Sequence, residues 1–438
     1  MAATEPLYTA EEMRAAEAGH DVDALMQRAG AAVAEALSRR FPDARRIALH
    51  AGGGANGGDG RIAAEILRGQ GRELVEERPE VVIDALLGTG LKDAPREETA
   101  QLIEQINAAG VPVLAVDVPS GVNASTGEVA GAAVRADVTV TMHGSKVGLA
   151  VAPGRFHAGE VEVADIGLES GRTGHELVRP EILGEVPRRS ARDNKYTAGH
   201  VLVVGGSRGM TGAPALAARA ALRADAGYVT LAAPADSLPV LETLVLEAVK
   251  RPVEQVFDIA ANAVAVGPGL GRGKDAKALV GRLLTEVRAP MVVDADALFE
   301  LEPAQWAGPR VLTPHEGELG RLLGRASSEI AAHRLASVQE AAERYGCVVV
   351  LKGEDSLIAA PGAGVLVAAL GLPSLSTAGT GDVLTGVTAA FLAKRMEPQR
   401  AAAAACAAQQ LASHEAPQRY GLVASDVVEA LPRALARG

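Results

Sequence analysis

Short apolar runs that alternate with amphipathic helical segments constrain the fold of this chain more than any other feature. Each run has the length of a strand. The runs are Ile47–Ala51, Val81–Leu87, Val113–Val116, Val138–Met142, Val161–Ile166, Val201–Val204, Tyr228–Ala232, Ala263–Val266, Met291–Val293, Arg310–Leu312 and Val348–Leu351. Such an alternation predicts parallel sheets that helices cover on both faces. We therefore predict an α/β fold with two three-layer α/β/α domains.

A polar stretch rich in glycine and arginine, over about residues 168–198, divides the chain. No strong apolar period runs through it, which is typical of a linker between domains. The 438 residues are enough for two or three domains. We interpret residues 1–170 as an N-terminal domain, residues 171–189 as the linker and residues 190–438 as a C-terminal domain.

The charge balance bears on what this chain can bind. Its formal net charge is −11, whereas a nucleic-acid surface needs clustered Lys and Arg, so we expect no nucleic-acid partner. Cys347 and Cys406 fall in apolar segments, and we expect both to be buried packing residues. The sequence has no signal-peptide pattern and no apolar stretch of bilayer length. We expect a cytoplasmic protein without a membrane partner.

A glycine-rich segment, Gly52–Gly60, follows the first predicted strand and contains Asn56 and Asp59. Six of its nine residues are glycine, and we expect a helix to begin at about Arg61. Glycines between a strand and a helix let backbone amides approach a phosphate closely. The alternative is a flexible loop without a ligand, but the position between strand and helix favours a phosphate cradle.

Two further predicted strands of the first half end in acidic residues. Asp84 ends one strand, and a turn that contains Gly, Thr and Lys, Gly88–Lys92, follows it. Asp117 ends the next strand and precedes a proline-stiffened turn with Ser120. Each aspartate alone would be explained as a helix cap or a turn residue. If the strand ends converge, these residues and Asn56 supply an all-oxygen set that suits a hard cation of low charge.

The segment Leu375–Gly386 carries the strongest chemical signal of the second half. Gly379 and Gly381, with two threonines, stand before Asp382, and a helix-like run, Val383–Lys394, follows. Such a turn can direct several backbone N–H groups at an anion from the start of a helix. Asp382 then lies where a phosphate would meet a substrate hydroxyl, which predicts a site for phosphoryl transfer. The alternative is a glycine-containing loop that opens an ordinary helix.

Other segments of the second half also follow predicted strands. Asp294 and Asp296 follow one strand, His315 follows the next along the chain, and Lys352 follows another. Functional loops of parallel sheets lie beyond the carboxyl ends of the strands, so we expect His315 and Lys352 to contact a ligand. The alternatives are a capping histidine and a solvated turn lysine. No Walker A pattern is present, so a P-loop enzyme is excluded.

The motifs GANGGDG, IDALLGTGLK, VDVPSGVN, HGSKVGL and VEVADIGL resemble those of the NAD(P)H-hydrate epimerase domain over nearly all of residues 1–168. The resemblance implies a Rossmann-like domain in which Asp117 is the catalytic acid and base, Lys92 is its cationic helper, and a potassium ion binds nearby. The implied potassium ligands are Asn56, Asp84 and Ser120. The implied substrate-binding residues are Ala55, Asn56, Gly57, Gly58, Asp59, Gly88, Thr89, Gly90, Leu91 and Asp117.

The first half departs from the epimerase pattern in two places. The family reads Asn-Asn-Gly-Gly-Asp, and Ala55 stands at the first of these positions here. The stretch Gly69–Val81 is short, where the family has a further strand and helix. Either this sheet lacks one βα unit or the segment pairs differently. Both departures bear on whether epimerase activity is retained.

The order NKYTAGHVLVVGGS, GPGLG, VVDADAL, LTPHEGEL, VVLKG and STAGTGDVLTG, from about residue 190 onward, is similar to that of the ADP/ATP-dependent NAD(P)H-hydrate dehydratase domain. The resemblance implies a ribokinase-like domain that uses ADP with magnesium, and in which Asp382 is the base on the hydroxyl of the hydrated nicotinamide. The implied substrate-binding residues are Ala213, Gly269, His315 and Asp382. The implied nucleotide-binding residues are Lys352, Gly353, Glu354, Asp355, Ser356, Thr380 and Gly381.

Together the two resemblances imply an enzyme of metabolite repair. The first domain would interconvert the S and R hydrates of NADH and NADPH, known as NADHX and NADPHX. The second would dehydrate the S form with ADP and release AMP and phosphate. We expect small-molecule substrates and a homo-oligomer. The alternative is a ribokinase-like small-molecule kinase whose N-terminal domain binds a nucleotide without catalysis, which leaves the LTPHEGEL segment unexplained.

Overall fold

The computed structural model describes residues 2–418 and 420–437, and it divides the chain into two compact units. The N-terminal unit consists of Pro6–Glu176 with Ala331–Leu335. The C-terminal unit consists of the segment up to Glu5, Leu177–Ile330 and the residues from Ala336 onward. Each unit is built on a largely parallel sheet with helices, which confirms the predicted α/β fold.

One parallel sheet forms the centre of the N-terminal unit. Strand β1 (Thr4–Leu7) comes first in the chain and pairs in the other sheet. The strands of this sheet are β2 (Arg46–Ala51), β3 (Glu73–Leu74), β4 (Val81–Ala85), β5 (Val113–Val116), β6 (Val138–Met142) and β7 (Glu160–Ala164). The α-helices are α1 (Ala10–Glu17), α2 (Val22–Arg40), α3 (Ala55–Gly69), α4 (Glu97–Ala108) and α5 (Val147–Ala150). Strands β2 to β7 pair in the order β3-β2-β4-β5-β6-β7. Ile83 of β4 packs with Leu37 of α2, and its neighbour Val82 packs with Ile103 of α4, because successive side chains of a strand face opposite sides.

The shortened stretch between α3 and β4 keeps a strand but not a helix. Strand β3 has two residues and pairs in parallel with β2 at the edge of the sheet. Residues 75–80 then lead to β4 without forming a helix. The βα unit that the family pattern has at this place is therefore reduced to a minimal edge strand.

The glycine-rich segment is not the loop that we predicted. Helix α3 begins at Ala55, whereas we expected a helix from about Arg61. Close packing explains the glycines of its first turns. A Cβ atom on Gly57 would lie 2.0 Å from the carbonyl oxygen of Gly52, and one on Gly60 would lie 2.6 Å from the side chain of Ala85.

A larger sheet forms the centre of the C-terminal unit. The remaining strands are β8 (His175–Val178), β9 (His200–Val204), β10 (Tyr228–Ala233), β11 (Val249–Pro252), β12 (Ala263–Val266), β13 (Met291–Val293), β14 (Arg310–Leu312), β15 (Val348–Leu351), β16 (Ser356–Ala359) and β17 (Leu366–Ala368). The remaining α-helices are α6 (Gly212–Arg223), α7 (Leu238–Leu244), α8 (Lys274–Glu286), α9 (Glu316–Leu323), α10 (Ser327–Ala332), α11 (Arg334–Tyr345), α12 (Thr380–Ala393), α13 (Pro398–Glu415) and α14 (Ala424–Leu435). The strand order is β1-β8-β17-β16-β15-β14-β13-β12-β9-β10-β11.

The carboxyl ends of the parallel strands of this sheet lie along one edge. Strands β9 to β15 pair in parallel, and beyond β15 the pairings of β15 with β16 and of β16 with β17 are antiparallel. Helix α12 is buried from Val383 onward and packs closely on α6. A Cβ atom on Gly386 would lie 2.1 Å from the carbonyl oxygen of Ala217. This contact fixes the start of α12 over the strand ends.

The stretch that we interpreted as a linker has structure of its own. It contains β8 and a 3-10 helix, Pro180–Glu185. Ile182 and Leu183 of this helix are fully buried in the core of the C-terminal unit. Too few apolar residues occur here to form a period in the sequence. The predicted domain limits themselves stay a prediction.

Two smaller expectations concern the cysteines and the helices. Cys347 and Cys406 are free thiols and both are buried, as predicted. Burial raises the pKa of the Cys406 thiol to about 12, so this group stays protonated at neutral pH. Within the described ranges, none of the helices combines the length and the apolar character that crossing a membrane requires.

Candidate active sites

A cavity of about 810 Å³ lies in the N-terminal unit, among the start of α3, the turn after β4 and the end of β5. The predicted site residues that line it are Ala55, Asn56, Asp59, Gly88, Thr89, Gly90, Leu91, Lys92 and Asp117. Gly57, Gly58, Asp84 and Ser120 are not among the lining residues. Gly58 instead packs on α2, where an added Cβ atom would lie 2.6 Å from the sulfur of Met26.

Asp84 and Ser120 form a buried hydrogen-bonded pair that is linked to Asn56 through Leu87. Oδ2 of Asp84 accepts from the backbone N–H of Ser120 at 2.8 Å, and Oδ1 accepts from the Ser120 hydroxyl at 2.6 Å. Burial raises the pKa of Asp84 to about 6, although these hydrogen bonds oppose the shift. The Ser120 hydroxyl in turn accepts from the N–H of Leu87 at 2.9 Å, and Asn56 donates to the Leu87 carbonyl at 2.8 Å.

The side-chain oxygen of Asn56, unlike its side-chain nitrogen, makes no hydrogen bond to any described residue. Its Oδ1 atom is buried and has no hydrogen-bond partner in the described structure. A buried acceptor without a donor is unfavourable unless something binds it. No cluster of three or more His, Cys, Asp or Glu side chains suited to a metal occurs among the described residues. A cation here would therefore depend on amide, hydroxyl and carbonyl oxygens as well as the carboxylate, and the residues present fit an ion of low charge.

Asp117 is held at the end of β5 in an unusual backbone conformation, with a φ angle of 65°. Its Oδ1 atom accepts from the Thr141 hydroxyl at 3.1 Å and from the N–H of Met142 at 3.2 Å. The same oxygen lies 2.6 Å from Nζ of Lys146, which is fully buried. The ion-pair partner of Asp117 is thus Lys146. Lys92, which we predicted as the cationic helper, lines the cavity but makes no ion pair with any described residue.

Sequence reasoning missed Lys146, although the residue lies in the HGSKVGL motif. A usable signal was present. Lys146 follows β6, which is the parallel neighbour of β5. Because the carboxyl ends of parallel neighbours meet at one edge, a lysine after β6 can reach an aspartate at the end of β5.

Two further carboxyl groups, Asp59 and Glu17, line the same cavity as Asp117. Burial, and then the negative charges of Asp117 and Glu17, raise the pKa of Asp59 to about 7. Burial and the charge of Asp117 also raise the pKa of Glu17. The cavity therefore combines a group that exchanges protons near neutrality with an ion-paired carboxylate, an arrangement typical of acid–base sites.

In the C-terminal unit, the residues that follow β13 and β15 meet the start of α12. Nζ of Lys352 donates to Oδ1 of Asp294 at 2.7 Å, and Oδ2 of Asp294 accepts from the Thr385 hydroxyl at 2.8 Å. Oε2 of Glu318 lies 3.7 Å from the same Nζ. Burial lowers the pKa of Lys352, but the charges of Asp294 and Glu318 outweigh burial, and the net shift is upward. Lys352 is therefore a fixed positive charge beside the helix start.

Asp382 lies in the first turn of α12, beside this charged network. Burial, and then the charge of Asp294, raise the pKa of Asp382 to about 7, while Lys352 opposes the shift. Gly379 precedes the helix in the left-handed conformation, with a φ angle of 88°. The first N–H groups of a helix have no partner within it and favour an anion. A carboxyl group that ionises near neutrality beside such a helix start suits proton abstraction during phosphoryl transfer.

A second cavity, of about 490 Å³, opens beside the start of α12. The predicted residues that line it are His315, Lys352, Gly353, Glu354, Ser356, Thr380 and Gly381. Asp355 is buried, and Asp355, Asp382, Ala213 and Gly269 are not among its lining residues. Gly269 joins the loops after β9 and β12, since its carbonyl accepts from the N–H of Ser207 at 2.7 Å. Ala213 is half-buried in the first turn of α6.

For His315, the ligand interpretation and the capping alternative are compatible. Its Nδ1 atom accepts from the N–H of Gly317 at 3.0 Å and so caps α9, while 56% of the side chain stays exposed at the cavity. The sequence prediction missed Gln409, which lines the same cavity and donates to the Thr380 carbonyl. Its signal was a polar residue within the alanine-rich helix α13.

Two family models match the chain. The model described as NAD(P)H-hydrate dehydratase matches residues 201–433. The model described as YjeF-related protein N-terminus matches residues 22–77 and 70–148. The two segments of the second match meet at the shortened stretch between α3 and β4.

Relatives and solved structures agree with these matches. A protein of Pyrobaculum aerophilum named bifunctional NAD(P)H-hydrate repair enzyme Nnr is 37% identical over an alignment of 472 positions, gaps included, which covers 94% of each chain. A protein of the same name from Escherichia coli K12 is 33% identical over an alignment of 465 positions, gaps included, which covers 93% of this chain and 88% of that one. The crystal structure of the ADP/ATP-dependent NAD(P)H-hydrate dehydratase from Bacillus subtilis, co-crystallised with ATP and Mg²⁺, has a TM-score of 0.55 at 29% identity and covers 59% of this chain and 97% of its own. Both family models in one chain, and likeness over nearly its whole length, lead to one conclusion: this protein belongs to the family of bifunctional NAD(P)H-hydrate repair enzymes.

Proposed function

We propose that this chain repairs hydrated NADH and NADPH with two activities, an epimerase over residues 1–170 and an ADP-dependent dehydratase over residues 190–438. One observation carries the proposal: each unit has its own carboxyl group beside a paired lysine and a cavity. In the first unit this group is Asp117 with Lys146, and in the second it is Asp382 next to Lys352 and Asp294. The family membership supports both halves of the assignment.

Epimerisation at C6 of the hydrate requires that this carbon become planar and close again on its other face. The Asp117 carboxylate takes the proton of the C6 hydroxyl while the C6–O bond becomes a carbonyl. The electron pair of the C6–N1 bond moves to N1 and into the conjugated carboxamide, and the ring opens. Attack by N1 on the other face re-forms the bond, and the proton returns from Asp117 to the oxygen. Lys92, which lines the cavity, stabilises the negative charge that develops on the ring.

A potassium ion fits the polar group around Asn56 in this proposal. The ion would be held by Oδ1 of Asn56, by Asp84 and by Ser120, and its charge would help to hold an anionic phosphate in the cavity. The buried, unpartnered Oδ1 atom of Asn56 supports this assignment. The raised pKa of Asp84, to about 6, reflects burial that a cation would relieve.

Dehydration of the S hydrate uses the second site. Asp382 takes the proton of the C6 hydroxyl while the oxygen of that hydroxyl attacks the terminal phosphorus of ADP. The bond from this phosphorus to the bridging oxygen breaks, and AMP is released. The N–H groups of residues 378–381 and the Lys352 cation stabilise the transferred group, whereas the N–H of Thr377 already donates to the Leu375 carbonyl at 2.8 Å. The phosphate then leaves C6 with the bonding pair, driven by the N1 lone pair, and loss of a proton from C5 restores the dihydronicotinamide. Magnesium, bound with ADP, neutralises charge on the phosphates.

The proposed site residues sort into roles by their position. Lys352, Gly353, Glu354, Ser356 and Thr380 line the cavity that would accept the nucleotide. Because Asp355 is buried and does not line this cavity, we propose a supporting role for it and no direct contact with the nucleotide. Ala213, Gly269 and His315 would contact the hydrated nicotinamide.

A single assay tests both halves. A mixture of S and R hydrates of NADH is incubated with the enzyme, ADP, magnesium and potassium, and the return of dihydronicotinamide absorbance is followed. Complete recovery supports both activities, whereas recovery that slows after the S fraction is consumed shows that the epimerase is inactive. A stable phosphorylated product without recovery would favour the small-molecule kinase. Repeating the assay with ATP determines the nucleotide preference.

We also propose that the enzyme is a homo-oligomer that acts in the cytoplasm, where its small-molecule substrates arise. Apolar side chains that are exposed on and after α7, next to the edge strand β11, support association. They are Val240, Leu244 and Leu246, of which Leu246 is 79% exposed. Light scattering of the purified chain and fluorescence microscopy of a tagged chain test the two statements.

A further inference from the structure

Lys146 is a completely buried lysine whose Nζ atom is surrounded by three oxygen atoms. Its Nζ atom lies 2.6 Å from Oδ1 of Asp117, 2.9 Å from the Thr141 hydroxyl and 2.7 Å from the Met142 carbonyl. An ammonium group has three N–H bonds, so each has an acceptor. Burying a charge costs free energy that an apolar side chain of the same length would not incur. A packing role alone therefore does not explain a lysine at this position.

The contacts of Asp117 fall on one of its two carboxylate oxygens. Oδ1 receives the Thr141 hydroxyl, the N–H of Met142 and the Lys146 ammonium. In the part of the chain that the structure describes, Oδ2 has no hydrogen-bond partner. The side chain lines the cavity and is 14% exposed. The carboxylate is thus anchored through Oδ1 and presents Oδ2 to a ligand.

Two other carboxyl groups lie near Asp117, and a nearby cation offsets the repulsion between these negative charges. Glu17 at the end of α1 and Asp59 in α3 line the same cavity, and the Asp117 charge raises the pKa of each. Lys92 lies on the cavity wall, but it makes no ion pair with any described residue. Three carboxyl groups in one partly buried space favour proton uptake by one of them, because like charges repel. Lys146 offsets this repulsion at Asp117 in particular, since it contacts that carboxylate directly.

We propose that Lys146 is a positioning residue of the epimerase site: it anchors Oδ1 of Asp117, so that Oδ2 is held in place to take and return the proton of the C6 hydroxyl. The inference rests on the proposed epimerase function of this unit. Lys146 itself contacts no substrate and exchanges no proton in the reaction. The left-handed backbone of Asp117 adds to the need for an anchor, because a non-glycine residue in this conformation is held only by its surroundings.

The test compares Lys146→Met with Lys146→Arg in the full-length chain. Interconversion of purified R hydrate of NADH is followed by chromatography without ADP. For Lys146→Met we expect kcat to fall by roughly 100-fold with KM changed less than about threefold, because general-base contributions are of this size. Lys146→Arg keeps the charge and should recover part of the rate.

Controls separate this role from a structural one. Lys277→Met makes the same change at an exposed lysine of α8, paired with Glu300 at 2.8 Å, and should leave interconversion unchanged. If Lys146→Met does not fold, Thr141→Val decides: it removes one donor to Oδ1 and should lower kcat roughly tenfold at constant KM. A folded Lys146→Met or Thr141→Val variant with the wild-type kcat overturns the inference alone. A wild type that does not accelerate interconversion overturns both the inference and the epimerase function.

Discussion

Dehydration by this enzyme should slow as the pH falls below neutrality, because Asp382 then gains a proton. Its pKa is raised to about 7 by burial and by the charge of Asp294. The direction follows from the sign of the shift: a raised carboxyl pKa means that the base form is lost at a higher pH than usual. At pH 6 about one-tenth of the molecules keep the carboxylate, whereas an ordinary aspartate, with a pKa of about 4, would be almost fully ionised. The rate constant kcat/KM, which reports ionisation of the free enzyme, should therefore fall about tenfold per pH unit below 7.

The substitution Asp382→Asn tests the same reasoning by removing the base. Asparagine has the shape of the protonated carboxyl group, so the fold should be retained while proton abstraction is lost. General-base catalysis contributes about 10²–10⁴-fold, and we expect kcat/KM for dehydration to fall by that factor, or about 3–5 kcal/mol in activation free energy. Interconversion of the R and S hydrates by the same variant should be unchanged, since Asp382 belongs to the C-terminal unit.

The assay measures the initial return of dihydronicotinamide absorbance from purified S hydrate with ADP and magnesium, from about pH 5 to about pH 9. The hydrate is kept well below KM so that the slope reports kcat/KM. The reasoning is refuted if the wild-type profile is flat from neutrality down to about pH 5, or if Asp382→Asn retains the wild-type rate. A profile with its midpoint near pH 7 that disappears in the variant would agree with it.

Three further outcomes are expected. Asp117→Asn should dehydrate S hydrate normally but slow recovery of the R fraction to the uncatalysed rate; full-speed recovery of a mixed sample would contradict the role of Asp117. Asn56→Ala removes the buried unpartnered oxygen and should raise the potassium concentration for half-maximal epimerisation about tenfold or more; an unaltered potassium titration would count against the cation site. Gly386→Ala places a Cβ atom 2.1 Å from a carbonyl oxygen of α6 and should lower stability by about 1–3 kcal/mol in thermal unfolding. Gly281→Ala, on an open helix face with nothing within 4 Å of the added atom, is its control and should raise stability by about 0.5–1 kcal/mol; equal effects at the two positions would refute the packing argument.

Buried parallel strands were predictable from the sequence because their apolar runs are continuous and end in turn residues. Val113–Val116 and Met291–Val293 have the bounds that we predicted. Strands β3 and β16 were missed since the first has two residues and the second begins right after a polar turn. Our predicted start of α3 was wrong because glycine has a low intrinsic helix propensity, which argued against a helix over this segment. Close packing against β2 and β4 overrides that preference.

The site could be predicted only as far as strand order determines it. Placing Asp117 and the turn after β4 at one edge requires no more than parallel pairing. Which lysine contacts Asp117 depends on side-chain direction, and Lys146 rather than Lys92 reaches it. Likewise Asp355 stands between two cavity-lining residues, Glu354 and Ser356, but is itself buried. Such differences depend on packing between distant segments, which a single sequence does not reveal.

The glycines at the start of α3 bear on how a mutational scan of this enzyme should be interpreted. Replacing Gly52 or Gly57 would force a side chain to within 2.0 Å of backbone oxygen, whatever ligand is present. Selection for folded protein alone should therefore deplete substitutions here as strongly as selection for activity. Asn56 and Asp59, between and beside these glycines, should be depleted mainly under the second selection. The ratio of the two scans, position by position, would separate the residues that serve the substrate from those that let the helix lie against the sheet.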